Sequence, residues 1–173
     1  MKKLLIDISG WTKEGGSCQV YPIKNKQNYI FKEFSSKKKA QDSLKNQTLL
    51  AKFDLAPKLY SKLCCLDFSG SAKYTSKWGY VTELAKTYSA NADINNADMD
   101  NLQNLVDKIY AKTGLKFWDC HWYNIGLVHR YNRIKLVCID TGKESFDGLS
   151  NAWGNPDPGP RCSYCDNYNC NCE

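Results

Sequence analysis

The 173 residues contain no long apolar run, no evident internal repeat and no extended low-complexity tract. At the start, Leu4-Leu5-Ile6 is cut short by Asp7, which argues against both a signal peptide and a membrane span and predicts a cytoplasmic or otherwise intracellular protein. The lack of repeats removes the solenoid architectures. Acidic residues are in the minority, 18 against 24 Lys and Arg, so the net charge of +6 favours anionic partners without choosing among nucleotide, nucleic acid, acidic protein and membrane surface. With no export signal the nine cysteines do not read as a disulfide scaffold: five are scattered at 18, 64, 65, 120 and 138, and reduced thiols are expected there.

What is present is a globular composition, 42% hydrophobic and 13% aromatic. A chain of this length suits one compact domain, or two small lobes around a cleft, and buries about 70% of its unfolded surface. Residues 4 to 8 read as a first edge strand. Gly15-Gly16-Ser17 marks a turn before the β-prone Cys18-Gln19-Val20-Tyr21, and a second turn through Lys24, Asn25 and Lys26 leads to the strand Tyr29 to Phe34. In that strand Ile30, Lys32 and Phe34 share a face, so Lys32, if buried, requires an anionic partner. Ser36 is placed to cap a helix over 37 to 53, with Ala40, Leu44, Gln47 and Ala51 on one side and Pro57 as its stop. Leu59 to Leu66 and Trp78 to Ala85 read as strands. A second helix is expected from an Asp98 cap to Gly114, with an apolar band of Met99, Leu102, Leu105, Val106, Ile109 and Tyr110.

The stretch Phe117 to Gly142 organises the rest. Two β-prone runs, Ile125 to His129 and Ile134 to Ile139, are joined by a turn at Arg130 to Arg133. Folding this hairpin brings Asp119 and Asn124, which precede the first run, towards Asp140, which follows the second, although they lie up to 21 residues apart in sequence. Beyond Leu149 the composition turns to a Pro/Gly linker and a C-x2-C-x4-C-x-C tail. Cys162, Cys165, Cys170 and Cys172 there are candidates for tetrahedral Zn2+, with exposed thiols and disulfides as the other readings.

Asp119-Cys120-His121-Trp122-Tyr123-Asn124 resembles the catalytic loop of the protein-kinase-like superfamily, and Asp140-Thr141-Gly142 at the end of an apolar strand resembles its second metal-binding motif. The His two residues after the Asp is similar to aminoglycoside and sugar kinases. The resemblance covers about residues 4 to 146, and the short remainder after Gly142 is similar to minimal kinases of some bacterial pathogens. It implies a two-lobed α+β fold, with an N-lobe sheet and one helix over 1–85, a shortened C-lobe over 86–150, and the linker and tail over 151–173.

It also implies an ATP- and Mg2+-dependent site. Asp119 would orient the acceptor hydroxyl, Asn124 and Asp140 would hold Mg2+, and Lys32 would steady the α,β-phosphates. Gly15, Gly16 and Ser17 would cover the phosphates, Val20 and Ile30 would enclose the adenine, and Glu83 and Leu84 fall at the hinge. Gln47 stands where the family has the Glu that pairs with the strand lysine, with Glu33 as another partner for Lys32. Phe117 replaces a supporting His, and Thr141 replaces Phe. The implied activity is phosphoryl transfer to a protein Ser/Thr, or to a hydroxyl-bearing small molecule such as a sugar. The alternatives are a catalytically weak nucleotide- or partner-binding regulatory protein and, from the charge and the tail, a nucleic-acid-associated zinc module.

Overall fold

A computed structural model of the protein describes residues 13–14, 18–66, 77–87 and 96–146. Within them the fold is α+β, with two antiparallel sheets and two α-helices. The first sheet holds β1 (Lys13–Glu14), β2 (Cys18–Ile23), β3 (Lys26–Phe34), β4 (Cys64–Leu66) and β5 (Lys77–Glu83), in the order β1-β2-β3-β5-β4. The second holds β6 (Lys86–Thr87), β7 (Ile125–Arg130) and β8 (Arg133–Cys138). Helix α1 (Lys37–Ala51) lies between β3 and β4 in the chain, and α2 (Asn96–Thr113) between β6 and β7. No helix among the described residues is long and apolar enough to cross a membrane. The expected strand over 4 to 8, the Gly15-Gly16-Ser17 turn and the four tail cysteines lie outside the described residues.

Alternation along β3 divides the first sheet into two faces. Phe31 packs with Ile23 and Val81 on one side. Phe34 packs with Tyr80 and with Ala40 of α1 on the other, and Lys32 shares that side by strand periodicity. The two central strands approach closely at Gly79, which pairs with Glu33: a Cβ there would sit 1.9 Å from the Lys32 carbonyl oxygen and 2.5 Å from Phe31 Cζ. Backbone in the middle of a sheet cannot retreat, so Gly79→Ala is expected to destabilise the protein by about 3 kcal/mol, seen as a lower urea midpoint.

Several elements depart from expectation for local reasons. The first helix begins as read, with Ser36 Oγ accepting from Lys39 N–H at 3.2 Å, but it stops at Ala51 rather than at Pro57. Asp54 takes a left-handed conformation (φ 57°) and Leu55 N–H returns to Leu50 O at 3.0 Å, closing the helix before the proline is reached. Its buried face is Ala40, Ser43, Gln47 and Leu50, so Ser43 and Leu50 take the places expected for Leu44 and Ala51. The strand expected over Leu59 to Leu66 shrinks to Cys64–Leu66 and an isolated bridge from Leu59 to Thr82. Helix α2 starts at Asn96, which puts Asp98 inside it rather than at its cap, and Tyr110 is exposed. Gly114 ends it as read, with φ +71° and its N–H on Tyr110 O at 2.8 Å.

The hairpin of β7 and β8 is tighter than the sequence suggested. Arg130 pairs with Arg133, leaving a two-residue turn of Tyr131 and Asn132, both with positive φ (47° and 60°). This is the turn whose twist matches antiparallel strands. Beneath it the largest core cluster joins Leu50 and Leu55 to Leu102, Leu105 and Ile109 of α2 and to Phe117, Ile125 and Cys138. Phe117, where a supporting His was a family expectation, is buried there and stacks on Phe146 at 5.3 Å. The loop entering Asp119 is therefore anchored by apolar packing.

Candidate functional site

One cleft of about 1450 Å3 opens between the two sheets. Val20, Ile30, Lys32 and Glu83 come to it from the first sheet, Leu84 from the connection, and Asp119, Asn124 and Asp140 from the loops flanking the second hairpin. Gln47, also expected at the cofactor, does not line it.

Asp119 and Asn124 are held as a unit. Asn124 Nδ2 donates to Asp119 Oδ2 (2.8 Å) and to the Asp119 carbonyl (2.9 Å), two acceptors that settle which way the amide points. The amide oxygen of Asn124 remains as an acceptor. His121 completes the group: its Nδ1 accepts from Tyr123 N–H at 3.2 Å, and its Nε2 lies 3.3 Å from Asp119 Oδ1 and 3.0 Å from Asn124 Nδ2. The backbone supports this arrangement through the short 3-10 turn Trp122–Asn124, whose N-cap is His121. Asn124 O accepts from Ile139 N–H at 2.8 Å, which ties the first loop to the strand end that carries Asp140.

Asp140 begins the second loop, where its Oδ1 accepts from Gly142 N–H at 2.9 Å. Lys32 reaches the same place from across the cleft. It is only 4% exposed, and its ammonium donates to the carbonyl of Ile139, the residue before Asp140. Burial by itself lowers the pKa of Lys32, but the electrostatic influence of Tyr80, Cys18, Asp140 and Cys138 raises it by more, so the net shift is upward. Its hydrogen bond goes to a carbonyl, not to a carboxylate.

Two expected partners of Lys32 are engaged elsewhere. Glu33 accepts from Lys77 at 2.6 Å. Gln47 is fully buried, donating to Pro57 O and accepting from Thr141 Oγ1 at 3.2 Å, which corrects its expected place at the cofactor. Its position on α1 points it into the packing beneath the Asp140 loop.

The hinge expectation is also corrected in detail. Glu83 and Leu84 line the cleft, but Glu83 N–H donates to Lys58 O and Leu84 N–H to Asn28 O, so neither donor is turned to a ligand. The Glu83 carboxylate is gripped at both oxygens by Arg130 and accepts from Lys58 N–H at 3.0 Å. Arg130, read from sequence as part of a turn, is the last residue of β7 and joins the two sheets. No sequence signal linked positions 47 residues apart. His121 and Glu144, which also line the cleft, were outside the expected set of site residues, although the D-x-H spacing was a pointer to His121.

The chemistry on offer is that of oxygen and charge. Cys120, next to Asp119, has its thiol pushed up to about 12 by burial and then by the Asp119 carboxylate. Cys138 is likewise raised by burial, so neither is a thiolate nucleophile near neutrality. Among the described residues no cluster of three or more His, Cys, Asp or Glu side chains is built to hold a metal. The Asn124 amide oxygen and the Asp140 carboxylate are instead two hard oxygen donors at one wall of the cleft, the number a protein commonly supplies to Mg2+ when phosphate and water complete the shell. No protein-family model and no curated protein matches this chain.

Proposed function

We propose that the chain is a compact ATP- and Mg2+-dependent phosphotransferase that delivers the γ-phosphoryl group to a hydroxyl, with a protein Ser/Thr as the leading acceptor and a small-molecule hydroxyl as the other. The observation that carries this reading is the convergence of Lys32, Asp119, Asn124 and Asp140, drawn from three separate parts of the chain, on one cleft. The strand order of the first sheet, with its helix after the third strand, and the delivery of Asp119 by α2 agree with the two-lobed fold that the resemblance implies.

In this reading Val20 and Ile30 enclose the base, and the charged, buried Lys32 steadies the α,β-phosphates. Asn124 and Asp140 would hold the Mg2+, which would neutralise the triphosphate and stabilise charge on the transferred group. Asp119, held at one oxygen by Asn124 and at the other by His121, orients the acceptor hydroxyl and takes its proton. The acceptor oxygen forms its bond to the γ-phosphorus as the bond to the bridging oxygen breaks, and ADP leaves with that electron pair.

Titration calorimetry with ATP and a non-hydrolysable analogue tests the reading. Mg2+-dependent binding is expected in the wild type, weakened more than about tenfold in Asp140→Asn, because the substitution removes the anionic metal ligand. No binding at millimolar nucleotide would sink it. One observation favours a second reading, a nucleotide-binding regulatory protein with little catalysis: Lys32 lacks a carboxylate from α1, where Gln47 stands. Mg–ATP binding without transfer to proteins, sugars or aminoglycosides would establish that alternative.

A further inference from the structure

Between α1, β5 and the Asp140 loop lies a sealed cluster of polar side chains that the proposed reaction does not touch. Ser43, Gln47, Tyr80 and Thr141 are each 1% exposed or less. Ser43 Oγ lies 2.7 Å from Tyr80 OH and 3.0 Å from Thr141 Oγ1, and the last two hydroxyls are 3.1 Å apart. Thr141 Oγ1 also donates to Gln47 Oε1 at 3.2 Å, and Asn46 Nδ2 reaches the Thr141 carbonyl at 3.3 Å. Gln47 passes the connection on to Pro57 O. Four buried polar side chains in one place destabilise unless all are satisfied together, and a satisfied network fixes its members in a single arrangement.

Thr141 is the hub. It is bonded by side chain or backbone to three residues of α1 and by its hydroxyl to Tyr80 of β5, and it directly follows Asp140 in the chain. On the other side of Asp140, the Ile139 carbonyl receives Lys32, and the amides of Ile139 and Asp140 are held by Asn124 O at 2.8 and 3.4 Å. Asp140 is thus fixed from both flanks. Outside these four side chains, α1 also reaches this loop through Asn46 Nδ2 on the Thr141 carbonyl at 3.3 Å and through the exposed Lys39–Glu144 pair at 3.9 Å.

We infer that Ser43, Gln47, Tyr80 and Thr141 form a positioning cluster that couples helix α1 to the Asp140 loop and holds Asp140 for the metal–nucleotide complex, in place of a carboxylate from α1 reaching Lys32. The inference rests on the phosphotransferase reading for its ligand and on the buried contacts for its geometry. Thr141→Val keeps the shape and removes the hub hydroxyl, while Thr141→Ser keeps the hydroxyl. In the nucleotide-free full chain, hydrogen exchange of the Ile139, Asp140 and Gly142 amides is expected to quicken about tenfold in Thr141→Val and to stay at the wild-type rate in Thr141→Ser. Mg2+-dependent ATP binding is expected to weaken about tenfold in Thr141→Val, with Mg2+-free binding unchanged. Tyr80→Phe, which keeps the ring, should move both readouts in the same direction by about threefold, and it serves where the valine variant does not fold.

Unchanged exchange at these amides in folded Thr141→Val or Tyr80→Phe would overturn the inference. So would a loss of nucleotide binding that is equal with and without Mg2+, since that is general destabilisation. Absence of any Mg2+-dependent binding in the wild type would overturn the phosphotransferase reading on its own, while the exchange rates still decide whether the cluster holds the loop.

Discussion

Asp119→Asn is expected to lower the turnover of phosphoryl transfer by about 10²–10⁴-fold while leaving ATP affinity within about twofold. Asp119 sits where it can meet an acceptor, and its two oxygens are already directed by Asn124 Nδ2 and His121 Nε2. The amide keeps the size of the side chain but cannot take a proton. Turning the amide oxygen towards Asn124 preserves the 2.8 Å contact. The loop is therefore expected to survive and the chemistry to fail. Transfer of labelled γ-phosphate across protein and small-molecule acceptors, set beside calorimetric ATP affinity, separates the two effects. Equal turnover of the variant and the wild type would remove Asp119 from its assigned role.

Arg130→Ala is expected to cost about 3–5 kcal/mol of stability, the largest effect of any substitution away from the cleft's proposed chemistry. The guanidinium is 5% exposed and donates through both terminal nitrogens to the two oxygens of Glu83, while its Nε lies 3.6 Å from Asp54 Oδ1. Removing it leaves the Glu83 carboxylate largely buried with the Lys58 N–H as its remaining hydrogen-bond donor among the described residues. Lysine cannot reproduce the two-pronged contact, so Arg130→Lys should recover little. Replacing both residues by apolar side chains of similar volume should recover most of the loss, because the penalty belongs to the unpaired charge. Urea midpoints of the three variants check this.

The pair also sets a pH dependence. Burial by itself raises the pKa of Glu83, but the hydrogen bonds from Arg130 and Lys58 N–H lower it by more, and the net shift is downward. A carboxyl with a depressed folded pKa contributes stability above its unfolded value and loses it as pH falls through the folded one. Wild type should accordingly lose stability as pH drops through and below the ordinary carboxylate range. In Arg130→Ala the favourable partner is gone and burial dominates, so the gap between variant and wild type should narrow on acidification. A gap that is constant with pH would mean the arginine acts through packing alone.

Much of the local structure was legible in the sequence because its causes are local. The β7–β8 hairpin was readable from two apolar runs around an Asn-containing turn, and α1 from the Ser36 cap and helical composition. The errors fall where a distant contact overrode a local signal. Pro57 looked like the stop of α1, but the chain turns back at Asp54, where Leu55 O meets Cys138 N–H at 2.9 Å and draws the segment onto β8. Gln47 looked like a residue facing Lys32 because periodicity places a side chain on a face without saying what lies opposite. Glu83 read as a hinge residue and Arg130 as part of a turn, and only the meeting of two sheets makes them a buried pair.

The sequence by itself determined the α+β class, the alternation that puts Ile30, Lys32 and Phe34 on one face of β3, and the short spacings that set Asp119 with Asn124 and Asp140 with Gly142. These follow from backbone periods and from hydrogen bonds a few residues long. Tertiary structure alone decided that Lys32 ends at the Ile139 carbonyl, 107 residues away in the chain, and that α1 is joined to the Asp140 loop by hydroxyls and an amide. Such contacts depend on how the two sheets and the helix pack, and packing sums many weak apolar interactions that no short stretch of sequence contains.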